Sequence, residues 1–154
     1  MRRFRFRLER VLRYRESREE AAYRALQDAV RQRLEHESAI EQVRAQMRAL
    51  AEASLRPEEW VERERTLMAL QTRLERLLDT LPLLQEQEAH AREVYLHLRR
   101  EREALSRLRQ RAYEQFQTEL QRALQTEMDE VVALAYQRVV PENPSADTGN
   151  PDAH

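Results

Sequence analysis

Apolar residues in the first third of the chain recur at alternating steps of three and four positions, which is the spacing of one face of a helix. The pattern predicts a first helix over residues 4–53, and its apolar stripe consists of Leu8, Leu12, Leu26, Ala29, Ile40, Val43, Met47 and Leu50. In the middle of this helix the steps run instead through Leu26, Val30 and Leu34. Successive steps of four shift the stripe around the helix and change the supercoil locally.

A second helix is predicted over residues 58–138, after a turn at about residues 54–57. Pro57 before two glutamates is typical of a helix start, because proline needs no N–H donor there and acids favour the positive end of the dipole. The seam that follows has heptad spacing, through Leu67, Leu70, Leu74, Leu77, Leu81 and Leu84 and then Ala91, Tyr95, Leu98, Leu105, Ala112 and Phe116. Pro82 lies inside this seam, and since proline costs about 3 kcal/mol in a helix interior, a kink is expected near it.

Neither apolar stripe can stay open to water, and a hairpin lets the two helices cover each other. The sequence therefore predicts an all-α fold, a long antiparallel two-helix coiled coil that forms a single domain over residues 1–140. Residues 108–138 would extend beyond the first helix with an apolar strip suited to binding another protein. The alternatives are self-association into a dimer and a turn at Pro82, which would shorten the extension. The polar, proline-containing tail, residues 141–154, is predicted to be disordered.

Composition supports this architecture. Charged residues make up 36% of the 154 residues and aromatic residues only 6%, with one glycine in the chain, which is typical of long helices and coiled coils. The chain has no cysteine, so it can form neither a disulfide nor a thiolate metal site. Uncharged runs fall far short of the roughly 20 apolar residues that span a bilayer. We therefore expect a cytoplasmic protein.

The charges are unevenly distributed although the net charge is only −1. Residues 1–18 and 99–111 are rich in arginine, whereas residues 112–154 are predominantly acidic. In the hairpin the two arginine-rich stretches lie side by side and make one end strongly basic. Such an end can bind an acidic protein surface, anionic lipid or nucleic acid. Nucleic acid is disfavoured by the overall charge balance and by the lack of a recognisable binding module.

No pattern in the sequence indicates catalysis. A glycine-rich phosphate loop is impossible where residues 1–140 contain no glycine. His90 and His97 are one heptad apart, but the helices contain no Glu-x-x-His repeat of the kind found in dimetal bundles. We expect no enzyme activity, no cofactor and no metal.

Three short motifs, in order, resemble the FliJ family of the flagellar type III export apparatus. The first is residues 6–16, which read FRLERVLRYRE, and the second is Glu59-Trp60-Val61 at the start of the second helix. The third is Met128-Asp129-Glu130, followed by Tyr136-Gln137-Arg138. The resemblance covers residues 4–138, nearly all of the predicted helical chain.

The resemblance implies an antiparallel coiled coil similar to the central stalk of rotary ATPases. It also implies a monomer that binds the export ATPase hexamer, the membrane export gate and export chaperones, and that reaches the inner face of the membrane through these partners. By analogy the ATPase-facing residues are Arg7, Leu8, Arg10, Val11, Leu12, Tyr14, Arg99, Arg102, Met128, Asp129 and Glu130. The gate-facing residues are Val43, Leu50, Trp60, Leu70 and Leu77. The alternatives are the equivalent stalk of a virulence secretion system and a generic tether with a basic membrane- or RNA-binding end.

Overall fold

The computed structural model describes residues 2–139, and within them the chain is all-α. Helix α1 spans Glu9–Glu52 and helix α2 spans Trp60–Val139, with a short 3-10 helix, Pro57–Glu59, between them. The predicted fold class, an antiparallel two-helix coiled coil, is confirmed. The predicted disordered tail, residues 141–154, lies outside the described residues.

The chain divides into two compact units. The hairpin unit is Arg7–Arg107, which contains all of α1 and the first part of α2. The terminal unit contains residues 2–6 together with α2 from Leu108 onward. The single domain over residues 1–140 stays a prediction.

Helix α1 begins at Glu9, so the predicted start at residue 4 is wrong. Phe4 and Phe6 are half-buried, whereas Arg5 and Arg7 are exposed. This alternation has a period of two, which suits extended backbone, whereas a helix would spread the two phenylalanines over different faces. The helix then starts at the Leu8 carbonyl, which accepts a hydrogen bond from the Leu12 amide at 2.9 Å.

The chain reverses direction between the two helices, as the proline–acid signal predicted. Ala53 and Arg56 have extended backbone, and Pro57 opens the 3-10 helix. The Glu59 amide donates to the Arg56 carbonyl at 2.9 Å and holds this turn. Because α2 continues through Pro82, the alternative turn at that position is wrong. The kink near Pro82 stays a prediction.

The core of the hairpin unit is a single seam between the two helices. Its buried apolar residues come from both, namely Leu12, Ala22, Ile40 and Val43 of α1 and Leu98 and Leu105 of α2. The leucines predicted to form the early seam of α2, from Leu67 to Leu84, are half-buried. A two-helix interface leaves half of every helix in water, so few positions can be fully enclosed.

The middle of α1 places charged residues in the seam. Arg33 and His36 occupy heptad positions between Ala29 and Ile40, and both are half-buried. The apolar stripe predicted through Leu26, Val30 and Leu34 leaves the seam at its far end, where Leu34 is 52% exposed. The seam is therefore partly polar, and its polar members need partners on α2.

Candidate partner-binding surfaces

The two arginine-rich stretches of the hairpin unit lie next to each other, as the charge pattern predicted. Arg15 of α1 donates from Nη1 to the backbone carbonyl of Glu101 on α2 at 3.1 Å. Around this contact is a set of exposed arginines, here called the basic cluster, which consists of Arg7, Arg10, Arg13, Arg18, Arg99, Arg100 and Arg107. One end of the hairpin unit is thus a basic surface.

The members of the basic cluster differ in how free they are. Arg99 donates from Nε to Glu103 at 2.9 Å, and this hydrogen bond raises the pKa of the Arg99 guanidinium. Arg7 and Arg10 take part in no ion pair or hydrogen bond within residues 2–139. Their full charge faces solvent and is available to a partner.

Arg102, predicted to face the ATPase, is instead bound across the seam. Its Nε and Nη2 donate to the two carboxylate oxygens of Glu19 at 2.5 and 3.0 Å. The Glu19 side chain is only 15% exposed. The hydrogen bond from Arg102 lowers the pKa of Glu19, and the same bond raises the pKa of Arg102. Such a two-point pair joins α1 to α2 in a defined register.

A second charged pair crosses the seam further along the hairpin unit. Arg33 donates from Nε to the carboxylate of Glu88, and Glu88 is only 8% exposed. The second oxygen of Glu88 accepts a hydrogen bond from Arg92 at 3.2 Å. Nearby, His36 Nε2 lies 2.6 Å from the Leu77 carbonyl oxygen. These contacts satisfy the polar residues that occupy heptad positions.

The apolar residues predicted to face the ATPase are placed in two different environments. Leu12 is buried in the seam and Leu8 is half-buried at the start of α1. Val11 and Tyr14 are exposed by 39% and 62%, and the Arg18 guanidinium lies 5.8 Å from the Tyr14 ring centroid. Val11 and Tyr14 can therefore contact a partner directly, whereas Leu12 is buried in the seam and stabilises the hairpin.

The terminal unit contains an aromatic cluster that was not predicted. The Phe4 ring lies 5.2 Å from Tyr113 and 5.6 Å from Phe116, centroid to centroid. The Arg109 guanidinium lies 5.5 Å from the Phe4 ring centroid. The signal in the sequence was the alternation of phenylalanine and arginine before α1, which marks an extended segment with one apolar side.

In the terminal unit, α2 is exposed at every position from 117 to 139. Its apolar residues there include Leu120, Leu124, Met128 and Val131, and Met128 is 63% exposed. The predicted ATPase-facing neighbours of Met128 are exposed too, and Asp129 accepts a hydrogen bond from Gln125 at 3.1 Å. This part of α2 is an apolar strip with acidic neighbours.

The predicted gate-facing residues belong to the hairpin unit, and they are mostly seam residues. Val43 is 1% exposed, and Leu50, Leu70 and Leu77 are half-buried. Trp60, the first residue of α2, is 52% exposed. Of this set, Trp60 presents the largest free apolar surface to a partner.

Comparison with protein-family models matches residues 4–140 to FliJ, the flagellar FliJ protein. The chain belongs to the FliJ family. The match covers the two helices that carry the basic cluster and the exposed strip, and it agrees with the resemblance found in the three sequence motifs. No curated protein and no solved structure gives a match.

Membership of the FliJ family makes the chain a component of the flagellar export apparatus. The family is a non-enzymatic part of that apparatus. None of the helices described over residues 2–139 combines the length and the apolarity needed to cross a membrane. Across the same residues no group of three or more histidine, aspartate or glutamate side chains is placed to hold a metal ion.

Proposed function

We propose that this FliJ-family chain is a non-enzymatic stalk or adaptor of the flagellar export apparatus. In this role it binds the hexameric export ATPase, stimulates it, and links it to the membrane export gate and to export chaperones. The observation that carries the proposal is the family match over residues 4–140, on a chain whose antiparallel hairpin unit ends in a cluster of exposed arginines. The chain would act as a monomer in the cytoplasm and reach the membrane only through its partners.

The basic cluster is the proposed ATPase contact in the hairpin unit. Free guanidinium groups steer association with an acidic protein surface and raise the on-rate at low salt. Val11 and Tyr14, which lie among these arginines, would add apolar contact area. Met128, Asp129 and Glu130 of the terminal unit are proposed to meet the same ring.

The gate contact is proposed for the surface around Trp60. An exposed tryptophan is well suited to be the centre of an interface, because a large ring buries much apolar area at little entropic cost. Val43, Leu50, Leu70 and Leu77 would then support this surface from the seam.

The test is stimulation of the cognate export ATPase by the full chain and by the double variant Arg7→Glu/Arg10→Glu. The variant should need on the order of tenfold more protein for half-maximal stimulation, since two attractive charges become repulsive. The matched control is Arg48→Glu/Arg56→Glu, which makes the same change in net charge at two exposed arginines far along the hairpin unit. The control should stimulate like the natural chain.

Two results would contradict this proposal. If the natural chain does not stimulate the ATPase at any concentration, the adaptor role is wrong. If both double variants lose stimulation equally, net charge rather than the basic cluster governs the contact, and the assignment of the surface is wrong.

A further inference from the structure

The N-terminal segment of the terminal unit is held on α2 by its side chains. In residues 2–6, here called the strap, the Phe4 ring packs against Tyr113 and Phe116. The Arg109 guanidinium lies over the same ring. Among the described residues, no backbone–backbone hydrogen bond joins the strap to α2. Phe4 is half-buried and Tyr113 is 37% exposed. A segment with few buried contacts and no bonded backbone opens at a low cost in free energy.

The strap covers one end of a longer apolar face of α2. This face runs from Tyr113 and Phe116 through Leu120 and Leu124 to Val131, in steps of three, four, four and seven residues that return to the same side of a helix. Phe116, beside the Phe4 ring, is half-buried, whereas every position from 117 to 139 is exposed. The strap therefore occupies the aromatic end of the face, and the remainder is the exposed strip described above.

A partner that binds the exposed strip would extend its contact onto the covered end. Leu120 and Val131 are 11 positions apart, which is about 16 Å along a helix. A specific interface buries about 800 Å² on each partner, and a strip of this length on one helix supplies only part of that area. Phe116 lies one turn before Leu120, and aromatic residues are enriched at the centre of interfaces. The strap and such a partner therefore compete for the same two rings.

We propose that the strap is an autoinhibitory cover for the ATPase contact of the terminal unit. In the free chain Phe4 occupies the aromatic end of the apolar face, and the export ATPase displaces Phe4 in order to bind the whole face. This regulation rests on the proposed function, in which Met128, Asp129 and Glu130 meet the ATPase ring. A docked strap lowers the measured affinity in proportion to the fraction of chains whose face is open.

Fluorine NMR of the full chain labelled with 4-fluorophenylalanine tests whether the strap is docked. The chain contains three phenylalanines, Phe4, Phe6 and Phe116, so two of the three signals come from the contact itself. In the free chain Phe4→Ala should shift the Phe116 signal, because it removes the neighbouring ring. The matched control is Phe6→Ala, which removes the same side chain two residues away, where no ring contact is found among the described residues. The control should leave the Phe116 signal in place.

Addition of the cognate export ATPase should release the strap. A released strap moves freely even in a large complex, so the Phe4 signal should stay sharp and move to the position of a solvent-exposed ring. The Phe116 signal should broaden, because Phe116 then lies in an interface with a much larger particle. A Phe4 signal that keeps its docked position when every chain is bound would overturn the inference.

The affinity for the ATPase gives a second measurement. A strap that is docked about nine-tenths of the time lowers the affinity about tenfold, so Phe4→Ala should tighten binding by up to about tenfold. Phe6→Ala should change the affinity less than about twofold. The gain from Phe4→Ala should disappear when Leu124→Glu is also present, because a partner that cannot use the face does not need to displace the strap.

The remaining outcomes separate the strap from the adaptor function. If the ATPase binds and Phe4→Ala leaves the affinity unchanged or weakens it, the strap is a brace or a part of the interface, and the autoinhibitory role is wrong. That role is also wrong if the gain from Phe4→Ala persists with Leu124→Glu. If neither the natural chain nor the Phe4→Ala chain binds the ATPase, the adaptor function itself is wrong and the regulation fails with it. Release of the strap is measured on the natural chain, so the test holds even if the Phe4→Ala chain does not fold.

Discussion

Replacing Val43 with alanine is the sharpest test of the seam. Val43 is 1% exposed, the most enclosed large side chain among the described residues. The substitution removes two methyl groups, worth about 1.5 kcal/mol of transfer free energy, and leaves a cavity that adds to the loss. Alanine returns a few tenths of a kcal/mol through its higher helix propensity. The expected net fall in the free energy of unfolding is about 2 kcal/mol.

Val61→Ala is the matched control, because it makes the same chemical change on a helix at a position that is 62% exposed. Val61→Ala has the same gain in helix propensity but removes little buried apolar area, so its free energy of unfolding should change by less than about 0.5 kcal/mol. Urea unfolding of both full-length variants, followed by circular dichroism at the helix minimum, measures the difference. Similar midpoints for the two variants would refute the burial argument.

The same pair of variants separates two roles for Val43. If Val43 contacts the gate, Val43→Ala should weaken gate binding even under conditions where the variant is fully folded. If Val43 only stabilises the seam, Val43→Ala should weaken gate binding only in proportion to the fraction of the variant that is unfolded. The burial favours the second outcome, and a gate-binding defect in the fully folded Val43→Ala chain would show that Val43 becomes exposed on binding.

Two further predictions concern the charged seam and the proline. Arg102 lowers the pKa of Glu19, so the ion pair stabilises the folded chain at pH values above 4.5, the ordinary pKa of a glutamate. This contribution, about 1 kcal/mol or less, is lost as the pH falls through the lowered pKa of Glu19. The free energy of unfolding should therefore decrease less between neutral and acidic pH in the Glu19→Gln variant than in the natural chain. The same decrease in both chains would show that the Arg102–Glu19 pair does not stabilise the fold. Pro82→Ala should raise the free energy of unfolding by about 1–3 kcal/mol, because it restores a helical N–H donor and removes a steric clash. An unchanged or lowered melting temperature would show that α2 needs the proline.

The architecture could be predicted because its main signals are long and regular. The leucine heptads from Leu67 to Leu84 repeat without a break, and Pro57 before two glutamates marks the start of the second helix. These features predicted two helices and their antiparallel pairing, and they placed the turn at about residues 54–57 with Pro82 as the alternative. The start of α1 was misplaced because residues 4–8 have apolar residues at every second position, and a short alternating segment is easily absorbed into a neighbouring helical pattern.

The candidate surfaces could be predicted only in part. The position of the basic cluster could be predicted from the charge counts and the hairpin. Whether a given arginine is exposed or ion-paired could not, because that depends on which side chains lie near it in the folded chain. Arg102 and Arg7 look alike in sequence, yet one is bound to Glu19 and the other faces solvent. The FliJ-type motifs likewise include both seam and surface residues, as Leu12 and Val11 show, because neighbouring positions on a helix point about 100° apart.

The polar seam and the exposure of Leu34 have a common cause. Leu12 and Leu26 share a heptad phase with Ile40 and Val43, so the two ends of α1 decide which face meets α2. The middle of the helix must then present Arg33 to the seam, and the apolar side chain that follows it, Leu34, is turned outward. Rotating α1 to bury Leu34 would expose the core residues at both ends, which costs more than pairing Arg33 with Glu88. Local sequence and global packing therefore conflict at this segment, and the pairing of Arg33 with Glu88 compensates for the conflict.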